Sequence, residues 1–157
     1  MILIAYASKS GVAKEAAEIL SKLLPSADLV DLAKETPQPE SYDAIIVGSG
    51  VRIGAISKAA RAFLDTHKAI LSSKKLAIFI ANSFADSTNE VLEASIPREL
   101  RESAVWIGSV GGKLDAANLR GLDKVIAKAA SKAVKEGQRL HEELNHTALE
   151  ELASHFR

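Results

Sequence analysis

Five short apolar runs recur along the chain, and none of them alternates: Met1–Tyr6, Leu29–Leu32, Asp43–Gly48, Leu76–Ala81 and Val105–Val110. A strand with one wet face alternates apolar and polar residues. A strand that is apolar throughout is covered on both faces, as in a parallel sheet. Between the runs lie segments with apolar residues at helical spacing. Val12, Ala16, Ile19, Leu20 and Leu23 form one stripe. Ala60, Phe63, Leu64 and Leu71 form another, within a helix expected from about Ser57 to Leu71. A helical stretch from about Ser87 is broken at Pro97. A long helix is expected from Leu119 to Lys135, with Leu122, Val125, Ile126, Ala129, Ala130 and Ala133 inward, and a short one from Thr147 to Phe156. This alternation specifies one α/β domain over residues 1–157: a doubly wound, five-stranded parallel sheet with helices on both faces. The expected strand order is 2-1-3-4-5, with the second run at an edge.

Sheets of this kind bind ligands outside the carboxyl ends of their strands, where the strand order reverses. In the expected order, strands one, three and four are neighbours, and their ends carry Ser8–Gly11, Ser49–Gly54 and Asn82–Ser83. The first loop brings two hydroxyls, the charge of Lys9 and, in Gly11, a residue free to take positive φ. It leads straight into a helix, whose unpaired N–H groups and dipole favour a phosphate. Ser8 or Ser10 acting only as a helix cap is the plainer reading. No G-x-x-x-x-G-K-[ST] loop is present. Gly48, Gly50 and Gly54 miss the dinucleotide spacing by one residue and lie outside the first strand–helix unit, which disfavours a nicotinamide site.

The chain has no cysteine, so disulfides, thiolate zinc sites, iron–sulfur clusters and a cysteine nucleophile are excluded, and redox chemistry needs a bound cofactor. Twenty basic residues balance 20 acidic ones, which gives no reason to expect nucleic acid. His67, His141, His146 and His155 have no acids at metal-ligand or triad spacing and read as ordinary surface or partly buried residues. Ser49 and Ser109 lack a Gly-x-Ser-x-Gly elbow. No catalytic side chain and no metal site is expected. The N-terminus has no basic leader, and no apolar stretch approaches the ~20 residues that span a bilayer, so a cytoplasmic location is expected.

Ile2–Ala17 resembles the start of a flavodoxin, whose phosphate loop has the form [ST]-x-[ST]-G-x-[ST]. Ser8, Ser10 and Gly11 match, and Ala13 replaces the final hydroxyl while keeping its N–H. A narrower resemblance covers most of the chain. Tyr42–Ser49, Val51–Gly54 and Phe63-Leu64 are similar to the flavodoxin-domain family that includes the menaquinone-dependent protoporphyrinogen oxidases. That group tends to have an Ile-Arg-Tyr-Gly-like loop after strand three. After strand five it tends to have Gly-Gly-Lys-Leu-Asp, as in Gly111–Asp115, and then a long helical insertion, here at about 113–140. The resemblance implies a flavodoxin-like fold and FMN as cofactor. Ser8, Lys9, Ser10, Gly11, Val12 and Ala13 would hold the phosphate. Ser49, Gly50, Val51, Arg52, Ile53 and Gly54 would line one side of the ring, and Asn82, Ser83 and Phe84 the other.

The leading activity so implied is an oxidoreductase of the protoporphyrinogen oxidase type, in heme biosynthesis, that passes electrons through FMN to a quinone. The alternatives are an electron carrier between protein partners and an NAD(P)H:quinone-type reductase. Ile53 stands where relatives often have an aromatic, and Phe84 is the aromatic nearest the third loop; Tyr6 and Trp106 read as core. Carriers of this family are typically acidic, and this chain is neutral. Arg120, Lys124, Lys128 and Lys132 recur every four residues, with Lys113 and Lys135 nearby. They read either as a solvated face or as a surface for anions: porphyrin propionates, an acidic redox partner, or acidic lipid at a peripheral membrane contact.

Overall fold

The computed structural model describes residues 1–113, 128, 131, 132, 135–137, 139, 141 and 143–157. Its strands are β1 (Ile2–Ala7), β2 (Asp28–Asp31), β3 (Ala44–Arg52), β4 (Ala55–Ile56), β5 (Lys75–Ala81) and β6 (Trp106–Ser109). The sheet order is β2-β1-β3-β5-β6, all parallel, with the two-residue β4 paired antiparallel to the end of β3. The expected five-stranded order is therefore the observed one.

The unbroken apolar runs are explained by the way alternate residues divide between two cores. Ile4 and Tyr6 of β1, Ile46 of β3 and Phe79 of β5 face one side, where α1 (Val12–Leu23) contributes Ala13, Ala16, Ala17 and Leu20. A second helix on that face, α6 (His146–Ser154), contributes Leu149, Leu152 and Ala153. Leu3, Ala5, Ile45, Val47, Leu76, Ile78 and Ile80 face the other side. There they meet α2 (Lys58–Thr66), α3 (Lys68–Ser73), α4 (Thr88–Ser95) and α5 (Arg98–Ser103). Gly48 lies directly opposite Phe79 in the β3–β5 ladder, and a Cβ on Gly48 would stand 1.9 Å from the Phe79 ring. The glycine is where the ring sits.

Three expectations change. Ser49–Gly54 is not an open loop: β3 runs on to Arg52, and Ile53-Gly54 is the two-residue turn of a hairpin with β4. The helix expected over Ser57–Leu71 is two, parted at His67, whose φ of −106° and ψ of 18° leave the helical region. Asp65, Thr66 and His67 are all weak helix formers, so little propensity resists the break. Pro97, expected only to disturb a helix, ends α4 and stands as the N-cap of α5. The helix expected at Leu119–Lys135 lies largely outside the described residues, as do Arg120 and Lys124 and most of the stretch 113–140. Lys128 and Lys132 are exposed, and Lys132 approaches Glu136 at 4.0 Å. Among the described residues, no helix is long and apolar enough to cross a membrane, and no cluster of His, Asp and Glu could hold a metal ion.

Candidate functional site

The register places Ala7 beside Ser49 and Gly50 beside Ala81, so β1, β3 and β5 end side by side and release their loops at one edge. In the first loop the Ser8 hydroxyl accepts the Gly11 N–H at 3.0 Å. Gly11 is the N-cap of α1 with φ +91°, and neither serine caps the helix. The first bond back along the helix is from Glu15 N–H to the Gly11 carbonyl, at 3.0 Å. The N–H groups of Val12, Ala13 and Lys14 thus have no intrahelical acceptor. The Ala13 methyl is fully buried in the core, so only its backbone is available outward. Lys9, Ser10 and Lys14 are exposed. The one acid in the first turn, Glu15, is paired with Lys113 at 2.7 Å, which offsets a negative charge beside this anion-seeking helix end.

The second element is the β3–β4 hairpin. The Ser49 hydroxyl donates to the Gly50 carbonyl at 2.7 Å and accepts the Ser57 N–H at 2.9 Å, which bolts the base of the hairpin to the start of α2. The turn places both Ile53 (φ +52°) and Gly54 (φ +73°) at positive φ. A two-residue hairpin of the type I′ kind requires this of both central residues and favours Asn-Gly. Isoleucine is a poor choice for that position, and here it is also 74% exposed. A strained, branched, apolar side chain held out over a cleft is a structural cost that suits contact with a ligand.

The third element is the Asn82–Phe84 loop, built around an Asn82 that is only 3% exposed. Its Oδ1 accepts a short hydrogen bond from the Ser109 hydroxyl. Its Nδ2 donates to the Phe84 carbonyl and the Thr88 hydroxyl, each at 3.0 Å. The Asn82 N–H donates to the Gly111 carbonyl at 3.0 Å. The chain returns alongside this loop at Arg139 and His141. Ala85 N–H donates to the Arg139 carbonyl at 3.3 Å, and His141 N–H to the Ser83 carbonyl at 2.8 Å. Arg139 also grips Asp86, through its backbone N–H at 3.0 Å and its guanidinium at 2.9 Å. These bonds, the backbone one foremost, hold the Asp86 carboxyl below its usual range. Gly111 and Gly112 admit the crossing chains: a Cβ on Gly111 would lie 2.6 Å from the Glu143 carbonyl oxygen, and one on Gly112 2.5 Å from that of Asn82. Every carbonyl from Asn82 to Ala85 has a donor. The N–H groups of Ser83 and Phe84 have no acceptor among the described residues.

Between the hairpin and this loop lies a cleft of about 110 Å³, lined by Val51, Arg52, Ile53 and Gly54 on one side and Asn82, Ser83 and Phe84 on the other, with Ser87 and Val91. Ser49 and Gly50 sit at the base of the hairpin and do not line it. Ser8–Ala13 open from the adjacent strand end, beside the cleft. Tyr6 is buried, and Trp106 packs partly buried against the same core, as expected. Burial pushes the Tyr6 hydroxyl up, with smaller contributions from Asp31 and Glu18. Sequence pattern gave no sign of Ser87, Val91, Ser109, Arg139 or His141 at this place. The only signal was Gly111-Gly112, since paired glycines after a strand mark a close approach of backbones.

Residues 3–140 match the family described as Flavodoxin domain. No match was found among curated proteins. Among solved structures, the chain is similar to a flavoprotein in complex with FMN from Lactobacillus acidophilus NCFM, at 17% identity and a TM-score of 0.54, covering 69% of this chain and 91% of that one. It is similar to a flavodoxin from the domain Archaea, at 18% identity and a TM-score of 0.51, covering 83% and 99%. It is also similar to a metal-soaked flavodiiron core from Synechocystis, at 15% identity and a TM-score of 0.52, covering 84% of this chain and 36% of that longer one. At these identities the likeness is one of fold.

Proposed function

The chain belongs to the flavodoxin-domain family, and from that premise we propose that it is an FMN-binding redox protein whose cofactor lies along the carboxyl edge of β1, β3 and β5. The observation that carries the reading is the set of donors left over at that edge. The first-turn N–H groups of α1 suit a phosphate, and the Ser83 and Phe84 N–H groups suit the acceptor edge of a flat heterocycle seated in the cleft. In this reading Ser8, Lys9, Ser10, Gly11, Val12 and Ala13 hold the phosphate. Ser49–Gly54 flank the ring on one side, with Ile53 against its face, and Asn82–Phe84 on the other. FMN supplies one- and two-electron transfer; the protein binds, orients and tunes it. No side chain serves as nucleophile or general base. The whole of 1–157 acts as one domain.

The finer reading is an oxidoreductase of the protoporphyrinogen oxidase type that passes electrons to a quinone. It is supported by the similarity of Val51–Gly54 and Gly111–Lys113 to that group and by a net charge of +0, unlike an acidic carrier. An electron carrier between protein partners is the second reading, favoured by the small cleft and by a lining that, among the described residues, includes no acid–base group. An NAD(P)H:quinone-type reductase is the third. The first test is the visible spectrum of the purified protein, with mass identification of what denaturation releases. A colourless protein that gains no flavin spectrum on titration with FMN, or one that prefers FAD, would overturn the cofactor assignment. Porphyrinogen turnover with a menaquinone then favours the oxidase, rapid reduction by a ferredoxin-type reductase the carrier, and steady NAD(P)H oxidation with quinones the third reading.

A further inference from the structure

We propose that His141 is a positioning residue for the cleft loop, holding two successive peptide groups by their oxygens so that their N–H ends are left for the ligand. The inference rests on the FMN reading and adds to it a residue outside all three ligand loops. The His141 backbone N–H donates to the Ser83 carbonyl at 2.8 Å. Its ring Nδ1 lies 2.9 Å from the Asn82 carbonyl oxygen. A carbonyl oxygen only accepts, so Nδ1 carries the proton in this contact.

The Asn82 carbonyl and the Ser83 N–H are two ends of one peptide group, and the Ser83 carbonyl and Phe84 N–H are two ends of the next. Each group receives a hydrogen bond from His141 at its oxygen and has no acceptor at its nitrogen among the described residues. Hydrogen bonds in series polarise one another, so a donor at the oxygen strengthens the N–H on the far side. Ser83 and Phe84 both line the cleft. Gly112, whose Cβ would stand 2.5 Å from the same Asn82 oxygen, leaves that oxygen open to the ring.

The test compares the parent with His141→Asn, which keeps a side-chain N–H at the place of Nδ1, and with His141→Leu, which has none. In the ligand-free proteins, the Ser83 amide proton of His141→Asn should resonate close to its position in the parent, and that of His141→Leu should move upfield as the donor at the far end of its peptide group is lost. On titration with FMN, His141→Asn should bind within about threefold of the parent, and His141→Leu about tenfold more weakly, the loss of one such bond. A Ser83 amide that does not move in His141→Leu would overturn the proposal. So would FMN binding by a folded His141→Leu as tight as the parent's. Should His141→Leu not fold, His141→Ala takes its place in both measurements. A parent that binds no FMN would overturn the cofactor reading, and the Ser83 amide shift would still decide what His141 does to the loop.

Discussion

The hairpin turn makes a prediction in which stability and binding move in opposite directions. Ile53 holds φ +52° and is 74% exposed. A left-handed backbone costs an L-residue roughly 1–2 kcal/mol, and asparagine escapes most of this because its short side chain bonds locally. Replacing Ile53 by Asn also removes an apolar side chain of which about a quarter is covered. Full burial of isoleucine is worth about 1.5–3 kcal/mol, so this loss comes to about 0.4–0.8 kcal/mol. The balance is a gain of about 0.5 kcal/mol, or roughly 1–2 °C in melting temperature for a domain of this size. Ile53→Val keeps the branched Cβ and should gain nothing. FMN binding by Ile53→Asn should weaken by about 1 kcal/mol, roughly fivefold, because the apolar contact with the ring is lost. Thermal and urea unfolding of the three ligand-free proteins, measured side by side, reads the first effect, and fluorescence titration with FMN the second. An Ile53→Asn protein that melts below the parent, or together with Ile53→Val, would show that no strain is held in this turn.

Gly48→Ala should cost at least ~3 kcal/mol, since its Cβ would overlap the Phe79 ring at 1.9 Å; the companion change Phe79→Leu should recover part of the loss, and equal unfolding midpoints for parent and Gly48→Ala would refute the packing. Gly11→Val meets no atom within 4 Å but must keep φ +91°, so backbone strain should lower FMN affinity by at least ~2 kcal/mol; unchanged affinity in a folded variant would remove the phosphate from this loop. Asp86 has a folded pKa below its ordinary value, so its contribution to stability is complete above the usual carboxylate range and is lost as pH falls through the lowered value. The Arg139 amide resonance should accordingly hold steady down to about pH 4 and shift only below it; a transition above that pH would contradict the tie to Asp86.

Much of this architecture is legible in the sequence, for a physical reason. A strand covered on both faces must be apolar at every position, and the runs at Ile2, Ala44 and Leu76 are. Their alternate residues feed two separate cores, and that division is invisible in the runs themselves. The hairpin reads as a loop because Ile53-Gly54 lacks the Asn-Gly signature of its turn, and the very residue that hides the turn is the one exposed at the cleft. The break at His67 was missed because it involves neither proline nor glycine. Asn82 was legible as the end of a strand but not as the centre of a network, since its partners Thr88, Ser109 and Gly111 approach only in three dimensions. His141 read as ordinary because its role depends on a carbonyl 59 residues away, and local spacing carries no trace of such a contact.

The helices on the two faces of the sheet come from different stretches of the chain. One face is covered by α2 to α5, made between residues 58 and 103 with β5 between α3 and α4. Among the described residues the other is closed by α1 and α6, which more than a hundred residues of chain separate. A nascent chain can therefore bury one side of β1, β3 and β5 early, while Ile4, Ile46 and Phe79 wait on the other until Leu149, Leu152 and Phe156 have emerged. During that interval α1 covers only part of this face, and the apolar surface it leaves bare is adhesive. A translation pause before His146, or a stop codon there, should lengthen chaperone association and turn a folding chain into an aggregating one.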